Sequence, residues 1–207
     1  MQQGSNEWFE SRLGRFTGSE IHKLLGVKGL GATGETYCFE KAIEMVFGRD
    51  EEDNFESFDM MRGKQLEPVA FRKFKELKEM DFISVEEVGF FEMGENAGAS
   101  PDGLVGSDAV LEIKCPRPNK FFNLVAKGID AIDKEYIAQM NLEMMATKTK
   151  QCHFFNFIIF NGKPMWHEIV VTPDVNMVAL INQRIEQAVI IRDKYMKDLM
   201  TNCQFER

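Results

Sequence analysis

The residues best able to do chemistry lie between Gly98 and Pro116, in GASPDGLVGSDAVLEIKCP. Glu112, Ile113 and Lys114 sit in a run that is otherwise apolar, Val-Leu-Glu-Ile-Lys-Cys, closed by Pro116. Residues two apart on a strand share a face, so Glu112 and Lys114 point one way and Ile113 points to the core. Asp102, between Pro101 and Gly103, has turn composition and is expected at a neighbouring strand end. An aspartate, a glutamate and a lysine then meet at one sheet face. Two carboxylates suit a hard divalent cation, which takes oxygen ligands and polarises a phosphate while activating water. The lysine could orient that water, stabilise charge, or act as a base if burial lowers its pKa. Taken alone, such a pattern arises by chance in roughly one chain in twenty from average residue usage. A Glu-x-Lys strand is also a common cross-strand ion pair. Charges on a buried strand are destabilising without a partner, which favours a functional reason. On this segment alone a nuclease and a structural ion pair both stay open.

Such a cluster needs a sheet and helices to hold it. Asn6 to Arg12 reads as a short helix broken at Gly14, and Thr17-Gly18-Ser19-Glu20 as a cap leading into Ile21 to Leu25. Gly26 to Gly34 reads as a glycine-rich loop. Glu35 to Phe47 reads as an amphipathic helix with Phe39, Ile43, Val46 and Phe47 inward. Asp50 to Asp53 is expected to be a solvated acidic loop. Phe58 to Met80 is a long helix with Leu66, Ala70, Phe74 and Leu77 on one stripe, bent at Pro68. Strands are expected over Ile83 to Phe91, Ala97 to Ala99, Leu104-Val105 and Val110 to Cys115. Helices follow over Phe121 to Lys127 and Lys134 to Lys148. His153 to Phe160 and Met165 to Val171 form a hairpin about Asn161-Gly162, and Val175 to Met200 is a terminal helix. The order gives an α/β or α+β fold with a mixed sheet, expected as a single domain over residues 1–207.

Composition sets the outer bounds. The chain has 207 residues, 44% hydrophobic and 28% charged, which excludes disordered, collagen-like and low-complexity classes. No apolar run is long enough to span a bilayer and no secretory signal is present, so a cytoplasmic protein with no membrane partner is expected. Cys38, Cys115, Cys152 and Cys203 are dispersed, which fits reduced thiols and argues against zinc or an iron–sulfur cluster. A net charge of -8 does not favour nucleic acid, yet a local basic lining can still hold phosphates.

Further residues fall into order around the cluster. Arg62-Gly63 precedes Glu67 on the long helix, Tyr136 and Gln139 lie on one helix face, and Arg12, Arg15 and Ser19 flank a helix start. The motifs W-x3-R-x-G-x-x-T-x-S-E, R-G-x3-E, S-P-D-G-L, L-E-I-K-C-P and Y-x-A-Q run in sequence from Trp8 onward. In type and order this set resembles the YqaJ-type viral recombinases and the lambda exonuclease family, a branch of the PD-(D/E)xK nucleases.

The resemblance implies a restriction-endonuclease-like core, a central mixed sheet flanked by helices. It implies that Glu67, Asp102, Glu112 and the backbone carbonyl of Ile113 hold Mg²⁺, with Mn²⁺ as a substitute and two metals at the site. Asp102, Glu112 and Lys114 would be catalytic. Arg12, Ser19, Ser100 and Gln139 would hold the 5′-phosphate of a DNA end. The activity implied is a 5′-to-3′ exonuclease on double-stranded DNA with a 5′-phosphorylated end. It would leave 3′ overhangs for a single-strand annealing protein in phage-type recombination. A homo-oligomeric, trimeric ring and a phage or prophage origin in a bacterial host belong to the same implication. The alternatives are a restriction-type endonuclease, for which no spare recognition segment is visible, and a non-catalytic DNA-binding or assembly module, at odds with intact Glu112 and Lys114. A RecB-type CRISPR adaptation nuclease would want cluster cysteines that are missing.

Other residues read more plainly. Trp8 is expected as a core anchor, while Arg15 is open between a phosphate clamp and a surface residue. Arg72, Lys73, Lys75 and Lys78 are a solvated helix face, and Lys148 with Lys150 a surface pair. Met140, Met144, Met145 and the phenylalanines 154, 155, 157 and 160 are core, and Cys115 is buried and inert.

Overall fold

A computed structural model of the chain describes residues 3–49 and 57–204. The expected acidic loop at 50–53 lies outside the described residues. The helices are α1 (Asn6–Glu10), α2 (Gly31–Phe47), α3 (Phe58–Glu79), α4 (Pro118–Lys127), α5 (Lys134–Thr147) and α6 (Val175–Asn202). The strands are β1 (Phe16–Thr17), β2 (Val85–Glu86), β3 (Phe91–Met93), β4 (Ala97–Ala99), β5 (Gly103–Val105), β6 (Ala109–Lys114), β7 (Gln151–Phe160) and β8 (Lys163–Val171).

Five strands form the main sheet in the order β2-β5-β6-β7-β8, with β6 and β7 parallel and the other pairs antiparallel. β6 lies at its centre, covered on both faces, which is why its sequence is nearly continuous in apolar residues. Leu111 and Ile113 face α3 and pack with Ala70, Phe74, Phe155 and Phe157. Val110 faces the other side, with Leu124, Met140, Met144 and Phe154 from α4, α5 and β7. The far side of α5 packs on the 3₁₀ turn Gly18–Leu24, α2, α6 and a small sheet ordered β1-β4-β3. The result is a mixed sheet between helices, as the sequence implies. Among the described residues no helix is long and apolar enough to cross a membrane.

Local signals explain most boundaries. Ser57 caps α3 by accepting from the N–H of Met60, and Asp174 caps α6 by accepting from Asn176 and Met177. Asn161 and Gly162, at φ 50° and 73°, make the two-residue turn that joins β7 to β8. α3 runs unbroken through Pro68.

Three expectations need correction. Ile83 to Phe91 is not one strand: β2 and β3 belong to different sheets, and the chain between them crosses from one to the other. α2 begins at Gly31, inside the expected loop. Gly34 lies within this helix, and a Cβ there would stand 2.8 Å from Leu30 Cβ and 3.1 Å from the Lys23 carbonyl oxygen, so it is the missing side chain that lets the 3₁₀ turn lie against the helix. The inward face of α2 is also different. Tyr37, Cys38, Lys41 and Ala42 are buried, while Phe39, Ile43 and Phe47 are exposed. Lys41 is tolerated inside because its ammonium bonds both oxygens of Glu44, at 2.8 and 2.9 Å.

Candidate active site

The site is built where β4 and β5 hand the chain to β6. Asp102 sits in the turn between β4 and β5. Its N–H donates to the Leu111 carbonyl at 2.9 Å, and its Oδ2 accepts from the Ile113 N–H at 2.6 Å. The turn is thereby clipped to β6 one residue from Glu112. Glu112 and Lys114 share a face, as period two requires, and form an ion pair through Glu112 Oε1. The same oxygen accepts from Gln139 Nε2 on α5 at 2.7 Å. Glu67, on α3 just before Pro68, lines a cavity of about 570 Å³ together with Asp102 and Ile113. It also borders a groove of about 700 Å³ with Ile113, Lys114, Arg62, Lys64, Arg117 and Lys120.

Charge in this cluster is crowded. Burial, then Glu112 and Glu67, push the Asp102 carboxyl well above the usual range, against the pull of Lys114. Burial, then Glu112, also push Glu67 up. Burial pulls Lys114 down, but Glu112 and Asp102 outweigh it and its pKa is raised. The neighbouring carboxylates thus favour the ammonium form of Lys114. Glu112 Oε2 is buried without a hydrogen-bond partner among the described residues. Three mutually repelling carboxylates with an orphaned buried oxygen are a hard-cation donor set, so the residues fit Mg²⁺ in chemistry. Among the described residues no three potential ligands already stand gathered as a metal site, and Glu112 Oε1 is engaged by Lys114 and Gln139 instead.

Of the four residues expected at a terminal phosphate, Arg12 and Ser100 are in contact, while Ser19 and Gln139 lie on neighbouring elements. Arg12 Nη1 donates to Ser100 Oγ at 3.3 Å. Burial lowers the Arg12 pKa, the mark of a cation taken out of water. A Cβ on Gly18 would lie 3.2 Å from Ala99 Cβ and 3.7 Å from Gln139 Cγ, so the turn carrying Ser19 abuts both β4 and α5. Ser19 itself is exposed there. Gln139 gives its amide nitrogen to two carboxylates, Glu112 and Glu143 Oε1 at 2.9 Å, so it faces the acidic cluster rather than Arg12 and Ser100.

Glu143 escaped the sequence analysis, and several other residues stand in surroundings not foreseen there. Glu143 is 1% exposed, and burial, then Glu112, hold its carboxyl well above the usual range. A glutamate one turn from Gln139 on a core-facing helix could have signalled it. The ring of Tyr136 lies 4.9 Å from Lys114 Nζ and 4.4 Å from Lys120 Nζ. Trp8 is half-buried beside Arg12 and Ser100 rather than sunk in the core. Arg15 pairs with Glu92 at 3.0 Å and donates to the Glu95 carbonyl, which makes it a strut of the small sheet. Lys78 leaves the solvated face of α3 and pairs with Glu168 at 2.7 Å. Cys115 is half-buried rather than fully buried, and desolvation, first of all, pushes its thiol up to about 12.

A family model described as the YqaJ-like viral recombinase domain matches residues 7–150. Among curated proteins none matches the chain significantly. Of solved structures, an alkaline exonuclease from Laribacter hongkongensis (LHK-Exo) is 26% identical with a TM-score of 0.82, over 95% of this chain and 97% of that one. Its complex with dAMP matches over the same shares at 26% identity and a TM-score of 0.81. A phage-related exonuclease from Haemophilus somnus 129PT, 16% identical over 89% of this chain and 96% of that one, shares the fold at a TM-score of 0.69. The mixed sheet and its flanking helices are thus the restriction-endonuclease-like exonuclease fold.

Proposed function

The chain belongs to the YqaJ-like viral recombinase family and is a nuclease acting on DNA, and on that premise we propose a metal-dependent 5′-to-3′ exonuclease that starts from 5′-phosphorylated duplex ends. It leaves 3′ overhangs for a single-strand annealing partner, in the cytoplasm of a bacterial host. The observation that carries the reading is the meeting of Asp102, Glu112 and Lys114, with Glu67 lining the same cavity, while half-buried Arg12 bonds Ser100 two residues before Asp102. That juxtaposition supports a cleavage chemistry next to an anion pocket.

Glu67, Asp102, Glu112 and the Ile113 carbonyl would hold Mg²⁺ or Mn²⁺, two ions in the full reading. Bound there, the metal would polarise the scissile phosphate and lower the pKa of a water. The chain's own groups do the rest. Lys114, held as an ammonium, stabilises negative charge developing on the phosphate. Arg12 offers a planar fork and Ser19 and Ser100 neutral donors to a terminal phosphate, while Gln139 holds Glu112. Arg62, Lys64, Arg117 and Lys120 along the groove give a duplex backbone a local positive track on a chain whose net charge is -8. The similarity to an enzyme described in complex with dAMP, a 5′-mononucleotide, suits a reaction that releases such products.

The test is release of acid-soluble nucleotides from linear 5′-phosphorylated duplex and from closed circles, with Mg²⁺, Ca²⁺ or EDTA. Release from linear duplex alone, with Mg²⁺ but neither Ca²⁺ nor EDTA, is expected. Ca²⁺ is larger and looser in geometry and aligns the water poorly. Cutting of closed circles would point to the restriction-type reading. Full activity in EDTA would remove the metal from the mechanism.

A further inference from the structure

Trp8 on α1 donates from indole Nε1 to Ser100 Oγ at 2.8 Å, across 92 residues of sequence. Arg12, one turn on, lays its guanidinium over the same indole at 4.0 Å and donates to the same Ser100 oxygen at 3.3 Å. A serine hydroxyl has two acceptor lone pairs and one hydrogen. Both lone pairs of Ser100 are taken, and by groups that cannot accept: an indole N–H and a guanidinium only donate. The hydrogen is what Ser100 has left to offer, so its hydroxyl is fixed as a donor. A terminal phosphate dianion carries acceptors only. Hydroxyl rotation that would otherwise have to be stopped on binding is already stopped, which is the advantage of a preorganised donor.

We infer that Trp8 is a positioning residue for end recognition: its N–H polarises Ser100 toward the phosphate and its ring face holds Arg12 in plane. This rests on the reading that Arg12 and Ser100 receive the 5′-phosphate. A tryptophan serving only as packing would respond to Trp8→Phe alike with the Ser100 hydroxyl present or removed.

The experiment measures the ratio of digestion rates on 5′-phosphorylated and 5′-hydroxyl ends. Trp8→Phe keeps a ring and removes the N–H, and should lower the ratio about three- to tenfold, the worth of one neutral hydrogen bond. Arg12→Ala should lower it roughly ten- to a hundredfold, as a charge-assisted contact requires. In a Ser100→Ala background, Trp8→Phe should change the ratio less than about twofold, because the two act through one contact. An unchanged ratio in Trp8→Phe while Arg12→Ala collapses it overturns the role of Trp8 and leaves the pocket standing. An unchanged ratio in Arg12→Ala removes the pocket and the role of Trp8 with it. Full effects of Trp8→Phe in the Ser100→Ala background overturn the route through Ser100. A second measurement leaves residue 8 intact. The chain has two tryptophans, so Trp166→Phe makes Trp8 the sole fluorophore. Its emission should change on titration with dAMP and not with deoxyadenosine; an equal response to both, or none to dAMP, overturns the inference.

Discussion

Lys114 shows how a residue's surroundings choose between the chemistries its type allows. Beside Glu112 and Asp102 its pKa is raised, which favours the ammonium form. We propose that Asp102→Ala, Glu112→Ala and Lys114→Ala each lower turnover at least about 10²-fold while duplex binding persists, because each acts on the transition state. Near-wild-type turnover in a folded, purified variant would take that residue out of the chemistry. The carboxylates bear on pH. Asp102 and Glu67 have raised pKa values, so their protonated forms favour the folded state and that contribution is lost as pH rises through the folded pKa. A cation must displace those protons. The rise in melting temperature caused by Mg²⁺ should therefore grow as pH rises through the raised pKa values of these carboxyls and fall away on the acid side. A rise that persists undiminished in acid, where the carboxyls are protonated, would mean that these groups do not take the metal. Asp102, Glu112 and Lys114 were legible because a strand and a turn give them away by type and spacing. Glu143 was not, since a glutamate on a helix reads as solvent-facing until the tertiary neighbours of α5 are known. Trp8 was misread because size alone suggests an anchor, and only its N–H partner shows otherwise.

At the scale of elements, periodicity told the truth where one face alone is buried or where a turn has its own chemistry. The hairpin about Asn161-Gly162 and the α3 stripe of Ala70 and Phe74 are the clear cases. It misled on α2, whose inward face mixes Tyr37, Cys38 and Lys41, because the helix packs on both α6 and the 3₁₀ turn. It also joined β2 to β3, since short strands of two sheets look continuous in sequence. Glycines give the sharpest element-level expectations. A Cβ on Gly98 in β4 would stand 2.2 Å from Phe90 Cζ and 2.6 Å from the Phe91 carbonyl oxygen. Gly98→Ala should cost about 1–3 kcal/mol by overpacking, and it should disturb Ser100 and Asp102 downstream. A Cβ on Gly63 within α3 would meet nothing within 4 Å, so Gly63→Ala should stabilise the protein. The gain, about 0.5–1 kcal/mol, comes from a less flexible unfolded chain. Urea midpoints read both, and opposite signs are expected; a destabilised Gly63→Ala or a neutral Gly98→Ala contradicts the packing described.

The whole molecule poses a problem of charge. A protomer of net charge -8 is repelled by DNA at long range, yet its groove gathers Arg62, Lys64, Arg117 and Lys120. Several of these cations are already shared with protein acceptors, Arg117 with Asp59 at 2.9 Å and Arg62 with the Cys115 carbonyl at 2.5 Å. A single groove so balanced holds a duplex by contacts that salt weakens readily. An enzyme that works inward from an end without reading sequence gains persistence if it cannot fall off between steps. Closure of several protomers around the product supplies that without tighter contacts, and closed cyclic symmetry is the usual form of homo-oligomers. We therefore propose a closed ring, with three protomers. Light scattering should give three times the 23.8 kDa protomer mass at assay concentrations. Digestion of long duplex should then continue after a large excess of unlabelled linear DNA is added as a trap. Persistence against the trap with only the protomer mass in solution would reject the ring, because the open groove would then hold the DNA by itself.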